Sequence, residues 1–210
     1  MSAWQFFLSH HSEILSATLT HLTLVLISML IAIAIAIPLG MLVVQHKTLR
    51  ALALALASIF QTIPSLALFG FLIPLPFIGG IGPHTAIVAL VLYALLPILR
   101  NTYVGLTSVD PAVLEAAEAM GMTHAQILFR VRLPLALSII LAGIRTATVI
   151  TIGVATIAAA IGAGGLGTFI FRGVAMVSDA VILAGAIPAA LLALCADLLL
   201  GLLERRLRVS

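Results

Sequence analysis

The sequence predicts an all-α, polytopic membrane protein with five transmembrane helices. Three observations carry that expectation: charges are too few to cover a soluble surface, several apolar runs are long enough to cross a bilayer, and basic residues gather at alternate ends of those runs. Of 210 residues, 63% are hydrophobic and 8% are charged, and mean hydropathy is +1.31. A soluble domain carries roughly a quarter charged residues. Aromatics make up only 6%, which suits packed helices better than barrel strands with their aromatic girdles. Cys195 is the only cysteine, so neither a disulfide framework nor a cysteine-based metal site is expected. The net charge of +3 is explained by where the basic residues fall, and no nucleic-acid partner is expected.

Crossing a hydrocarbon core takes about 20 helical residues. The first span is expected at about 21–44, "HLTLVLISMLIAIAIAIPLGMLVV", which holds no Lys, Arg, Asp or Glu. A cleaved signal peptide is disfavoured, because no basic residue precedes the run and the run is too long. The charge-free stretch between Arg50 and Arg100 is interrupted by "PLPFIGGIGP" at 74–83 and divides into spans at about 51–73 and 84–104. A fourth span is expected at about 134–160 and a fifth at about 180–203, all within one domain over 1–210. Lys47, Arg50, Arg100, Arg130, Arg132, Arg205, Arg206 and Arg208 then share one side, against Arg172 alone on the other. Basic residues near span ends collect on the cytoplasmic side. The N-terminus is therefore expected outside, the C-terminus inside, and 105–133 in a cytoplasmic loop.

That loop contains "DPAVLEAAEAMGMTHAQILFRVRLP". Asp110-Pro111 is a helix start, with a carboxylate to cap free N–H groups and a proline suited to the first helical position. Gly121 is a helix stop, since glycine adopts the left-handed conformation cheaply. Thr123 and Gln126 match a capping box for a second short helix, "HAQILFRVR". Leu133-Pro134 is expected to end it and start the fourth span. On a helical wheel Leu114, Ala117 and Gly121 fall on one side, where small residues would admit a second protein's backbone, with Glu115 and Glu118 on another. A helix lying on lipid headgroups would favour Lys and Arg on its polar face, so a docking handle is the better account.

Glu115-Ala116-Ala117, Gly121, Val131 and Leu133-Pro134 resemble the cytoplasmic signature of type I ABC importer permeases, with Val131 where that family usually has Ile. The stretches "QTIPSLALFGFLIP", "LYALLPILRNTYVGL" and "GIRTATVITIGVATIAAAIGAGGLG" are similar to permeases of osmoprotectant importers. The resemblance covers roughly 15–203. It implies an ABC type-1 permease core in the cytoplasmic (inner) membrane of a bacterium or archaeon, carrying glycine betaine, choline, carnitine or a similar quaternary ammonium compound. It also implies four partners: a cytoplasmic ATPase that binds ATP and Mg, a second permease chain (identical or paralogous), an extracytoplasmic substrate-binding protein and membrane lipid. Glu115, Ala116, Ala117, Gly121, Leu133 and Pro134 would couple to the ATPase. This chain itself is expected to bind no cofactor and no metal.

"GAGGLG", Gly162–Gly167, satisfies the dinucleotide fingerprint literally. That fingerprint requires a preceding strand, a following helix and an acidic residue about 20 positions on, and none is expected here. A close-packed turn at the outer end of the fourth span is expected instead. With no phosphate-binding G-x-x-x-x-G-K-[ST] in the chain, an ATPase site is not expected, and energy must come from a partner.

Polar groups within the spans are few. Arg145 lies 11 residues past Pro134, about 16 Å along a helix. A charge at that depth is costly unless it finds a partner or water. Asp197 of the fifth span lies seven residues before Glu204, about 10 Å in from the same side, and side-chain reach covers the difference in depth. The two are therefore expected to pair; the alternative is that Arg145 lines the substrate path. Gln61, Thr62, Pro64 and Ser65 at the middle of the second span, where Pro64 should kink the helix, are the first candidates for that path. Tyr93 is a candidate cation–π contact for a quaternary ammonium. The threonines of the fourth span are expected to bond their own helix backbone. An ABC permease for another betaine-like or amino-acid-like solute is an alternative, and an ion-coupled secondary transporter is one from a different class. The latter should show inverted repeats and buried carboxylates, and Asp197 is the only acid within a span.

Overall fold

A computed structural model describes residues 3–207. Arg208, counted above with the inner basic residues, lies outside them. Helices joined by turns make up the described residues, which contain no strand; the α-helices run in the order α1 (Ala3–Ser9), α2 (His11–Gln45), α3 (Lys47–Thr62), α4 (Ser65–Leu72), α5 (Pro83–Thr107), α6 (Pro111–Ala119), α7 (His124–Ile127), α8 (Leu133–Ile157), α9 (Gly167–Ala175) and α10 (Asp179–Arg206). Four stretches are long and apolar enough to cross a membrane: His11–Gln45, Pro83–Thr107, His124–Ile161 and Asp179–Arg206. A fifth crossing exists if α3 and the bent-off α4 count as one.

The second span, expected at 51–73 with a kink at Pro64, is not one kinked helix but two separate ones. It breaks at Ile63-Pro64 and α4 turns away by 104°. Proline has no N–H to continue the ladder and drives the preceding residue into extended backbone. Ile63 accordingly sits at φ −68°, ψ 128°, and Pro64 at φ −55°, ψ 137°. Two successive extended residues reorient the chain where one proline kink would only tilt it. The first span also begins earlier than expected, because nothing in "HSEILSATLT" breaks a helix. Its 35 residues reach about 52 Å, so the helix projects beyond the hydrocarbon.

The core sits where α5 packs between α2 and α8, with α10 against the other side of α8. Small residues set this geometry. A methyl group on Gly143 of α8 would lie 2.6 Å from Asn101 Cβ and 2.8 Å from the Pro97 carbonyl oxygen on α5. Lipid tails offer no hydrophobic drive to associate, so close backbone approach and dispersion hold such a pair together. Outward-facing residues are large and apolar, among them Leu19, Leu26 and Leu30 on α2 and Leu191, Leu194, Leu198 and Leu202 on α10. That is the inverse of a soluble surface, and it is what lipid solvates.

Candidate functional site

The loop at 108–132 is built as a rigid handle. The Asp110 carboxylate accepts from the Ala112 N–H at 2.9 Å, and Pro111 occupies the first helical position of α6. At the other end Gly121 takes φ +77°. Its N–H donates to the Glu118 carbonyl (2.9 Å), and the Met122 N–H donates to the Ala117 carbonyl (3.2 Å). That pair of bonds is a Schellman closure, which satisfies carbonyls that a helix end leaves free. The Thr123–Gln126 capping box is complete, with Thr123 N–H to Gln126 Oε1 at 2.8 Å and Gln126 N–H to Thr123 Oγ1 at 3.3 Å.

Two features differ from expectation. Leu133-Pro134 does not end the second short helix. The chain runs from α7 through a π-turn over Leu128–Arg132 directly into α8, and the Leu133 N–H donates to the carbonyl of Leu128, five residues back. The wider π-turn accommodates the ring and missing N–H of Pro134 without stopping the helix. The second half of the handle and the fourth span are thus one helical body, His124–Ile161. The second difference concerns Ala117, which is only 2% exposed because its own chain covers it. The face free for a partner is instead Glu115, Ala116, Glu118 and Met120, with Gly121 also exposed. Leu133 is half-buried and Pro134 exposed.

The candidate path residues gather at the break in the second span. Thr62 and Pro64 are exposed, Gln61 and Ser65 half-buried, and the Thr62 hydroxyl donates to the Ile59 carbonyl at 2.8 Å. Tyr93 does not line this surface. It is 5% exposed and its hydroxyl donates to the Ile63 carbonyl, the acceptor freed where α3 stops. Its ring is not open to a quaternary ammonium.

Arg145 and Asp197 are brought together. Arg145 Nε donates to Asp197 Oδ1 at 2.6 Å and Nη2 to Oδ2 at 2.7 Å, a two-point fork. A third group joins them that depth arithmetic missed: Arg145 Nη1 reaches Glu204 Oε2 at 3.4 Å. Asp197, Gly201 and Glu204 recur at helical spacing, a pattern that could have signalled a shared face. Gly201 leaves the guanidinium its seat, since a Cβ there would stand 3.1 Å from Arg145 Cζ. In the fourth span Thr146 and Thr148 donate to the carbonyls four residues back (2.9 and 2.8 Å) and Thr156 to Gly153 (2.7 Å), whereas Thr151 reaches Met29 Sδ at 3.7 Å.

The glycine-rich stretch is a turn in which Gly162, Gly164 and Gly165 all have φ between +76° and +80°. A short helix, α9, does follow it, contrary to expectation. A span and a single 3-10 turn (Ala158–Ile161) precede it, so the strand of a dinucleotide site is missing among the described residues. Gly165 packs on His21, which is fully buried with its Nε2 placed 3.1 Å from the Ile152 carbonyl oxygen. His21 ties the first span to the fourth, a role its isolated position in the sequence did not announce.

Comparison with known proteins agrees with this architecture. The chain is 48% identical over 188 residues to a glycine betaine/carnitine/choline transport system permease protein, OpuCD, of Bacillus subtilis, covering 89% of this chain and 81% of that one. It is 45% identical to the osmoprotectant import permease OsmW of Salmonella typhimurium over 97% of this chain and 96% of the relative. Among solved structures, a chain of the inward-facing MetNI methionine ABC transporter superimposes with TM-score 0.82 at 24% identity, covering 99% of both chains. That likeness establishes the fold. The model of the binding-protein-dependent transport system inner membrane component family matches residues 32–209, and the chain belongs to that family.

Proposed function

We propose that this multi-pass inner-membrane protein is the permease subunit of an ATP-binding-cassette importer for a quaternary ammonium osmoprotectant: glycine betaine, choline, carnitine or a close analogue. ATP and Mg bind on a separate cytoplasmic ATPase, and this chain has no ATPase site of its own. A second permease chain completes the path, and an extracytoplasmic binding protein delivers the solute. The names of the relatives support the substrate class. In this reading the N-terminus faces out, and the 108–132 handle faces the cytoplasm.

The observation that carries the mechanism is the unbroken helical body from His124 to Ile161. When ATP draws two motor subunits together, α6 moves with the subunit that holds it. The Schellman turn at Gly121 and the capping box at Thr123 keep α6 fixed relative to α7. The π-turn then passes the displacement into α8 without a flexible joint, and a tilt of α8 opens the path to the outside. Hydrolysis restores the inward state.

Reconstitution tests this. Proteoliposomes holding this chain, the second permease chain, the ATPase and the binding protein should accumulate labelled choline or glycine betaine only with ATP inside. Accumulation without nucleotide, or by this chain alone, would overturn the proposal.

A further inference from the structure

The ion cluster on α8 and α10 is not sealed inside the chain. The side chains of Arg145, Asp197 and Glu204 keep 36%, 39% and 30% of their surface exposed. They border a groove of about 390 Å³ between α8 and α10, where Thr146, Val149 and Ile150 line the α8 side beside Arg145. One guanidinium and two carboxylates leave a net charge of −1 if all are ionised. The two carboxylates are held unequally: Asp197 is gripped at two points, Glu204 at one longer contact of 3.4 Å. Glu204 therefore keeps acceptor capacity facing the groove. Asp197 lies eight residues before Arg205, about 12 Å along the helix, so the cluster sits toward the end of α10 that carries Arg205 and Arg206. An open ionic cluster at this level is costly against lipid tails and belongs beside water or a polar ligand.

We infer that this groove is a transit subsite for the cationic head of the solute, with Glu204 supplying the uncompensated charge. The inference rests on the proposed transport of quaternary ammonium compounds. A trimethylammonium group has no N–H to donate. It needs a nearby negative charge and apolar walls, which Glu204 and the Val149–Ile150 side provide. No aromatic side chain lines the groove, so the cation is held loosely. A conduction path requires binding strong enough to admit a solute and weak enough to release it. Arg145 prevents the two carboxylates from becoming a trap by neutralising one of them.

The test uses the assembled transporter in bilayers free of choline headgroups, with Cys195→Ala removing the native exposed thiol. Thr146→Cys and, separately, Val149→Cys report access to two methanethiosulfonate reagents, one bearing trimethylammonium and the other sulfonate. The cationic reagent should react faster. Glu204→Gln should slow it about fivefold and speed the sulfonate reagent by a similar factor, the effect on each of one elementary charge near contact distance in water, so that the preference falls about 25-fold. Saturating choline should slow labelling. Failure of both cysteines to react, or a preference unchanged by Glu204→Gln, would overturn the subsite. A preference that depends on Glu204 but is insensitive to choline, betaine and carnitine would uphold the cation groove and reject the proposed substrate class. Slowing by added phosphatidylcholine but not by free choline would assign the groove to a lipid headgroup and overturn the transit role.

Discussion

Tyr93 donates its hydroxyl hydrogen bond to the backbone carbonyl of Ile63, the residue at which the second membrane-penetrating segment breaks. The break frees that carbonyl, and in an apolar surround an unpaired acceptor is expensive. One tyrosine on α5 therefore makes a 104° bend between α3 and α4 tolerable. Tyr93→Phe should keep the packing and lose the bond, at about 1–3 kcal/mol for a buried acceptor left unpaired. Thermal unfolding in detergent micelles should show a lower midpoint; an unchanged midpoint would mean that water already serves the carbonyl.

Gly143 tests the α5–α8 crossing. Its absent Cβ would fall 2.6 Å from Asn101 Cβ, with a backbone oxygen at 2.8 Å. Neither obstacle is the end of a flexible side chain, so Gly143→Ala must push the two helices apart. Small-to-large changes in packed cores cost about 1–3 kcal/mol, and Gly143→Val should cost more. Gly153 is the control, because a Cβ there would meet nothing within 4 Å. Gly153→Ala should leave the unfolding midpoint near that of the parent.

Charge exchange tests the Arg145–Asp197 fork. Arg145→Asp or Asp197→Arg alone places like charges together and should abolish ATP-driven uptake. The double exchange should recover a substantial part of it, because both groups are partly exposed and can re-form the pair. Absence of any recovery would show that the arginine serves uptake by something other than pairing.

Gly121→Val should decouple without unfolding. Its φ of +77° is costly for a β-branched residue, about 1–2 kcal/mol, and relief would unwind the turn between α6 and α7. The spans should stay folded, while co-purification with the ATPase falls and basal ATP hydrolysis no longer responds to solute.

The handle is legible in the sequence because its signals are local. Asp110-Pro111, Gly121 and Thr123–Gln126 each satisfy backbone groups within a few residues, so their bonds can be foreseen from spacing. The inward turn of Ala117 is not legible, since a wheel gives a side chain's direction but not what packs against it. The π-turn escapes for a related reason: Pro134 reads as a breaker unless a widened turn absorbs it. The pairing of Arg145 with Asp197 is open to depth counting, but Glu204 counts to the water side and so falls outside that arithmetic. The clamp of Arg50 on Tyr103, with Nη1 donating to the hydroxyl at 2.6 Å, joins residues 53 apart and leaves no trace in local pattern.

In the proposed mechanism a separate ATPase grips the exposed face of α6 from the cytoplasm. Met120, 75% exposed beside Gly121, is the place to measure it. In a Cys195→Ala background, Met120→Cys should resist a membrane-impermeant thiol reagent applied to intact cells. It should react in inside-out vesicles stripped of the ATPase, and become protected when the ATPase is added back. Labelling from outside the cell, or reactivity indifferent to the ATPase, would contradict the account.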